Sequence, residues 1–271
     1  MSNLPLSHGE MPPPLLPQLG LTLQATPNLP PEVRDALLAF VQMWGSPQEL
    51  LDLVAAQREV LGPMLFLLDY QAQALHHLGR YAEALELIER RQRRSSSAAA
   101  QIREAQILLA SGEEQDARSA ALELGRLTKN NEAVTAAAEI LAALGDTDSA
   151  ADLLRTFQAL RPNDLLVTLA AIRLALQSEG RSAADAQLQR LGAGIPAGIS
   201  DEELERLQRL AQDLGRQETA NAAALERERR RRQQLADLQR ALRPFVGEAG
   251  AHADDPEAFY RLHNGPESIP V

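Results

Sequence analysis

The stretch "LGRYAEALELIERR", residues 78–91, places a glycine between two segments that both favour helix. Residues 65–78 before the glycine and residues 82–91 after it show the periodicity of amphipathic helices. Glycine readily adopts the left-handed backbone conformation in which many helices end, so Gly79 predicts a turn between two helices. If the same interruption recurs at a fixed spacing, this segment is one unit of a repeated structure.

The glycine interruption does recur, at a nearly constant spacing. Successive glycines lie 34, 33, 33, 35 and 35 residues apart, at Gly45, Gly79, Gly112, Gly145, Gly180 and Gly215. No stretch between them has the alternation of a strand, and aromatic residues make up only 3% of the chain. A period of this length is typical of stacked helical hairpins. The sequence therefore predicts an all-α fold, an α-solenoid of about six antiparallel hairpins.

The residues around the central glycines resemble the tetratricopeptide repeat (TPR), a helix–turn–helix of 34 residues. The resemblance is carried by residues at fixed offsets from the glycines, namely Ala72, Ala105 and Ala138, then Leu75, Leu108 and Leu141, then Ala84, Ala117 and Ala150. Pro162 stands where that family often has a proline. The match is best over residues 65–164 and degenerate over residues 31–64 and 165–230, and leucines replace several of the family's usual aromatic residues.

The resemblance implies that a partner binds in a concave groove lined by the first helix of each hairpin. The matching positions of this sequence are Phe66, Asp69, Gln73, His76, Ile102, Gln106, Leu109, Glu132, Thr135, Glu139, Leu174 and Gln177. This set is apolar in its middle and acidic around it, so we predict a partner segment with apolar anchors flanked by arginine or lysine. The alternative is a solvated acidic face without a ligand. The basic residues and asparagines with which some family members clamp a carboxylate are missing.

A second segment, "ALERERRRRQQLADLQRALRPF" at residues 224–245, predicts a long helix over about residues 217–243. From Glu226 to Gln234 there is no apolar side chain, so this part is expected to be exposed or bridging. At roughly 40 Å, the predicted helix is longer than a typical hairpin helix, so its end is expected to project beyond the stack. Three interpretations stay open: a terminal cap that packs locally, self-association, or contact with an acidic surface such as nucleic acid. The residues concerned are Arg229, Arg230, Arg232, Leu235, Leu238 and Leu242.

Composition also predicts the regions that flank the repeats. Residues 1–30 are rich in proline and predict a disordered arm, and residues 246–271 predict an acidic, mostly disordered tail. The helical-repeat domain is then expected to cover residues 31–245. Within it, the glycine-rich "LGAGIPAG" at residues 191–198 predicts a longer connector between hairpins.

Charge and residue usage argue against several functional classes. The net charge of −10, from 27 basic and 37 acidic residues, disfavours a general nucleic-acid binder. There is no cysteine, the five histidines do not form a metal-binding pattern, and no phosphate-binding or hydrolase motif occurs. We therefore predict a non-enzymatic scaffold without a cofactor, which binds a protein or peptide. No run reaches the roughly 18 apolar residues of a membrane span, so the expected location is the cytoplasm.

Overall fold

The computed structural model describes residues 15–62, 64–127, 129–191, 195–196 and 198–246, and the structural statements below refer to these residues. They form helices and contain no strand. The helices are α1 (Leu15–Gln18), α2 (Pro31–Trp44), α3 (Pro47–Leu61), α4 (Leu65–His77), α5 (Tyr81–Arg94), α6 (Ala98–Ser111), α7 (Glu114–Gly125), α8 (Asn131–Ala143), α9 (Thr147–Leu160), α10 (Leu165–Ser178), α11 (Arg181–Arg190), α12 (Asp201–Asp213) and α13 (Gln217–Leu242), with a 3-10 turn at Thr26–Asn28.

From α2 onward the helices follow one another as six pairs, each joined by a turn of two or three residues. The predicted glycines lie in these turns. Gly79 has a φ of +74°, and φ is also positive at Gly112, Gly145, Gly180 and Gly215. The prediction of an all-α fold built from about six helical hairpins is confirmed.

Gly45 occupies a turn of the same series for a different reason. Its φ of −88° is one that any residue adopts. A Cβ atom at this position would lie 2.7 Å from the carbonyl oxygen of Val41, closer than real Cβ contacts. Glycine is required here for space, whereas in the five later turns it supplies the left-handed backbone.

The left-handed turn at Gly112 gives a direct test of the repeat geometry. Here the N–H of Glu113 donates to the carbonyl of Leu108 at 3.0 Å, and a Cβ on Gly112 would meet no atom within 4 Å. The cost of Gly112→Ala is therefore conformational, and we expect a loss of about 1 kcal/mol in the free energy of unfolding. Urea denaturation followed by circular dichroism measures it. Gln115→Ala, at an exposed site in α7, is the control, and an unchanged stability of Gly112→Ala would contradict the turn.

The chain divides into two compact units, and the first combines residues from both ends of the described chain. Residues 15–78 and 232–246 belong to it. Helices α2, α3 and α4 pack against one another, and α3 also contacts the 3-10 turn. Leu37, Leu38 and Leu53 are fully buried in its core, which also contains Leu238 and Leu242 from the last turns of α13.

The prediction of a disordered arm over residues 1–30 is wrong for residues 15–30. Leu15, Leu16 and Leu29 are buried in the core of the first unit, together with Leu19 and Leu21. The backbone N–H of Leu16 donates to Oε1 of Glu49 at 2.8 Å. The prolines do not prevent this packing, because the segment needs only one short helix and one 3-10 turn to bury its leucines. Residues 1–14 lie outside the described part of the chain.

The second unit, Gly79–Arg231, is built around its first helices. Helix α8 packs against α6 and α10, and α10 packs against α12. The second helices of the pairs, α7, α9 and α11, pack against these. Small residues such as Ala133 and Ala137 are fully buried and allow close approach, while Phe157 and Leu124 fill the space between helices.

Helix α13 begins and ends near the predicted bounds, but its end does not project into solvent. Leu238 and Leu242 are only 4% and 1% exposed, because they are buried in the core of the first unit. Residues 191, 195, 196 and 198, which lie in the predicted connector, are not helical. Of the predicted tail, only Val246 is described, and it packs partly against the first unit. Residues 247–271 lie outside the described part of the chain.

Candidate functional site

The predicted groove residues of the second unit lie on the first helices, and those on α6 are accessible. Ile102, Gln106 and Leu109 are partly exposed at intervals of about one turn along α6. Glu132 lies in the first turn of α8, the helix that packs beside α6, and it is exposed. This surface, which we call the α6–α8 face, combines two half-buried apolar side chains with an amide and a carboxylate.

The groove prediction is wrong for Thr135 and Leu174, which a partner cannot reach in this conformation. Both are buried, since α8 is enclosed by α6, α7, α9 and α10 and since Leu174 belongs to the apolar core. The Thr135 hydroxyl oxygen has no hydrogen-bond partner in the described structure. Gln177, near the end of α10, is exposed. The accessible part of the predicted groove in this unit is therefore mainly the α6–α8 face.

Glu139 already binds a guanidinium group from its own chain. Arg206 of α12 donates through Nη1 to Oε1 of Glu139, and its Nη2 lies 3.0 Å from Oε1 of Glu202. Burial disfavours the charge of Arg206, but the two carboxylates outweigh burial and raise the pKa of the guanidinium above its ordinary value. No local sequence pattern indicates this pair, because 67 residues separate its members.

The cleft beside the Arg206–Glu139 pair is too small for a ligand. It is bordered by charged residues of α10 and α12, including Arg173, Arg209 and Asp213, and by apolar residues such as Leu169 and Leu210. Its volume is about 10 Å³, close to the space that one water molecule needs. A ligand larger than a water molecule therefore does not fit at this position between α8, α10 and α12.

The remaining groove residues, Phe66, Asp69, Gln73 and His76, lie on α4 in the first unit and are partly buried. The guanidinium carbon of Arg34 stands 5.8 Å from the centre of the Phe66 ring, within the range of a cation–π interaction. Nε2 of Gln42 donates to Oε1 of Gln73 at 2.6 Å. The rings of His76 and His77 are stacked with their centres 5.4 Å apart. The predicted set is therefore divided between two units.

The arginines of α13 in the second unit are held by carboxylates of the same unit. Arg229 pairs with Glu226 at 2.7 Å, and Arg230 pairs with both Glu226 and Asp201. Hydrogen bonds from Arg229 and Arg230 lower the pKa of Glu226 to about 2. Arg227 lies 3.6 Å from Glu205. This pairing leaves little net positive charge for a phosphate backbone.

The described residues offer no constellation typical of a metal site. Among them, no group of three or more histidine, aspartate or glutamate side chains is placed to hold a metal ion. No described helix is long and apolar enough to cross a membrane.

Comparison with solved structures identifies the fold. A TPR protein from Parabacteroides merdae is 14% identical over 77% of this chain and 85% of that chain, with a TM-score of 0.51. The chain has a TPR-like fold. A thermophilic TPR protein from Thermus thermophilus is 20% identical over 65% of this chain and 98% of that chain, with a TM-score of 0.46. No protein-family model matches the sequence, and no curated protein is similar to it. The TPR-like resemblance predicted from the glycine spacing is confirmed.

Proposed function

We propose that this TPR-like protein is a non-enzymatic interaction scaffold that binds a partner segment on the α6–α8 face. The partner segment carries apolar anchors flanked by arginine or lysine. The observation that supports the proposal is the Arg206–Glu139 pair, in which the next carboxylate along α8 from Glu132 accepts a guanidinium from the same chain. A partner arginine would make the same kind of contact with Glu132.

The apolar part of the proposed site comes from Ile102 and Leu109. They are seven residues apart, about two helical turns, and therefore point to the same side of α6. Ile102 and Leu109 pack against the buried core of the unit while part of each side chain stays exposed. Gln106, between them, can donate and accept hydrogen bonds with a partner backbone. The site is thus an apolar strip with an acidic end.

The carboxylate of Glu132 is suited to a rim contact. Its side chain is accessible, and no ion pair or hydrogen bond of that carboxylate is found within the described residues. Charges at the rim of an interface mainly set the association rate and the orientation of the partner. We therefore propose that the strip of Ile102 and Leu109 provides most of the affinity, and that Glu132 favours partner segments with a basic residue at that end.

The alternative, a nucleic-acid-associated or regulatory role of residues 226–243, has less support. Arg229 and Arg230 are neutralised by Glu226 and Asp201, and the apolar residues Leu238 and Leu242 are buried. Of the residues for which self-association was predicted, Leu238 and Leu242 lie in the core of the first unit and Leu235 packs against it. The cytoplasmic location stays a prediction.

The proposed function is tested with a fluorescent synthetic peptide that has a leucine-rich centre and two arginines at each end. We expect saturable binding, weakened about tenfold by Glu132→Lys because attraction becomes repulsion. Glu114→Lys is a matched control, since Glu114 also lies in the first turn of its helix, α7, with an exposed side chain. It should change the affinity less than about twofold.

A second peptide, with glutamates in place of the arginines, checks the sign of the charge. It should bind wild type at least about tenfold more weakly than the arginine peptide. Equal binding of the two peptides, or equal losses from Glu132→Lys and Glu114→Lys, would contradict the proposed function.

A further inference from the structure

The last turns of α13 are amphipathic and pack against the first unit through their apolar side. Leu235, Leu238 and Leu242 occupy positions i, i+3 and i+7, which fall on one side of the helix. Leu238 and Leu242 are buried and Leu235 is partly buried, whereas Asp237 and Gln233 on the other side are exposed. This segment, residues 234–246, therefore has one apolar side against the protein and one polar side in solvent.

The surface that receives the segment is apolar, and a polar contact lies at its edge. Leu238 and Leu242 share a core cluster with leucines of α1, α2, α3 and α4, and partly buried Phe66 and Tyr70 pack against the same cluster. At the start of the segment, Nε1–H of Trp44 donates to Oε1 of Gln234 at 3.0 Å. Because a hydrogen bond is directional, this contact helps to set the register of the helix on the surface, whereas the apolar contacts beside it are non-directional.

The stretch that joins the segment to the rest of α13 contributes no apolar side chain to this packing. No apolar side chain occurs from Glu226 to Gln234, and the boundary between the two units falls between Arg231 and Arg232. The apolar contacts of Leu235, Leu238 and Leu242 are all made within the first unit. The contacts between the segment and its surface include those of three leucines and Val246 and the Trp44–Gln234 hydrogen bond.

We propose that the first unit is a receptor for an amphipathic helix, and that residues 234–246 are its tethered occupant. The partner that fits is a helix of another protein with leucines at i, i+3 and i+7 and a glutamine one residue before the first leucine. Such a helix would displace the chain's own segment and would make the same contacts, as in other helix-in-groove complexes. Because the tether gives the occupant a high effective concentration, the partner binds weakly until that segment is loosened.

This receptor surface lies in the first unit, whereas the proposed function rests on Ile102, Leu109 and Glu132 of the second. The two proposals are distinguished by variants that share no residue. Glu132→Lys should leave helix binding to the first unit unchanged, within about twofold.

The experiment uses the full chain and a labelled peptide that reproduces residues 232–246. A double variant, Leu238→Asp with Leu242→Asp, loosens the tethered segment, and we expect it to bind the peptide at least about tenfold more tightly than wild type does. The same peptide with aspartate at both leucine positions should not bind. Fluorescence of Trp44, the single tryptophan, reports the first unit directly, because the peptide supplies the glutamine that accepts its N–H.

If the first unit of the double variant is unfolded, the experiment instead asks whether the added peptide restores its folding. Restoration of the Trp44 unfolding transition by the added peptide would support the receptor. Absence of both binding and restoration would overturn it, since the segment would then be an irreplaceable part of the core. Light scattering of the wild-type protein without peptide gives its molecular mass. A mass twice that of the monomer would also overturn the proposal, because a second copy of this chain would then be the occupant.

Discussion

Phe157→Ala is expected to lower the free energy of unfolding of the second unit by about 3–5 kcal/mol. Phe157 is 1% exposed and is among the largest fully buried side chains of the described residues. The core cluster that contains Phe157 also contains Ala121, Ala137 and Ala150, whose side chains are too short to fill the space that the ring would leave. The guanidinium of Arg161, 5.5 Å from the ring centre, would lose its contact as well. Urea denaturation followed by far-ultraviolet circular dichroism measures the change.

Phe245→Ala is the matched control for this variant. The same side chain is removed, but Phe245 is 44% exposed, so the expected loss is below about 1 kcal/mol. If the two substitutions destabilised the protein equally, the close packing of α7, α8 and α9 around Phe157 would be wrong.

Leu16→Ala is expected to destabilise the first unit by about 2–5 kcal/mol. A substitution in a disordered arm would have almost no effect. This variant therefore tests whether Leu16 is buried or belongs to the disordered arm that the proline content predicts. Leu16 is buried in the core, and its backbone N–H is held by Glu49. Because the single tryptophan, Trp44, lies in this unit, its fluorescence during urea denaturation measures the change.

Leu225→Ala provides the control for Leu16→Ala. Leu225 is 72% exposed, so the same truncation should cost less than about 0.5 kcal/mol. The Trp44 transition should shift to lower urea for Leu16→Ala alone. An unchanged midpoint for Leu16→Ala would contradict the packing of residues 15–30 in the core and would support the disordered arm that the composition predicts.

The repeat could be predicted from the sequence because its signals are local. The first helices α4, α6, α8, α10 and α12 are each followed by a glycine with a positive φ, from Gly79 to Gly215. The energetic preference for glycine at such a position depends on the backbone of that residue alone. The small residues at fixed offsets, such as Ala72 and Ala117, mark the buried side of each helix. Helix order and turn position followed from these features without knowledge of distant contacts.

The parts that could not be predicted depend on residues far apart in the chain. Leu16 lies among prolines, and its burial depends on Glu49 and on a core completed by Leu238 and Leu242. The contact of Arg206 with Glu139 spans 67 residues. The positions of Thr135 and Leu174 on the first helices were predicted, but how far neighbouring helices cover them is set by packing that the repeat pattern does not encode.

The most direct test of the proposed binding face is an amide chemical-shift titration of the isotopically labelled chain with the arginine-flanked peptide. We predict that the largest shifts occur in α6 between Ile102 and Leu109 and in the first turn of α8 at Glu132, and that Arg229 and Arg230 are unaffected. Shifts concentrated in the arginine-rich part of α13, or none at α6 at saturating peptide, would contradict a protein-binding role for the α6–α8 face.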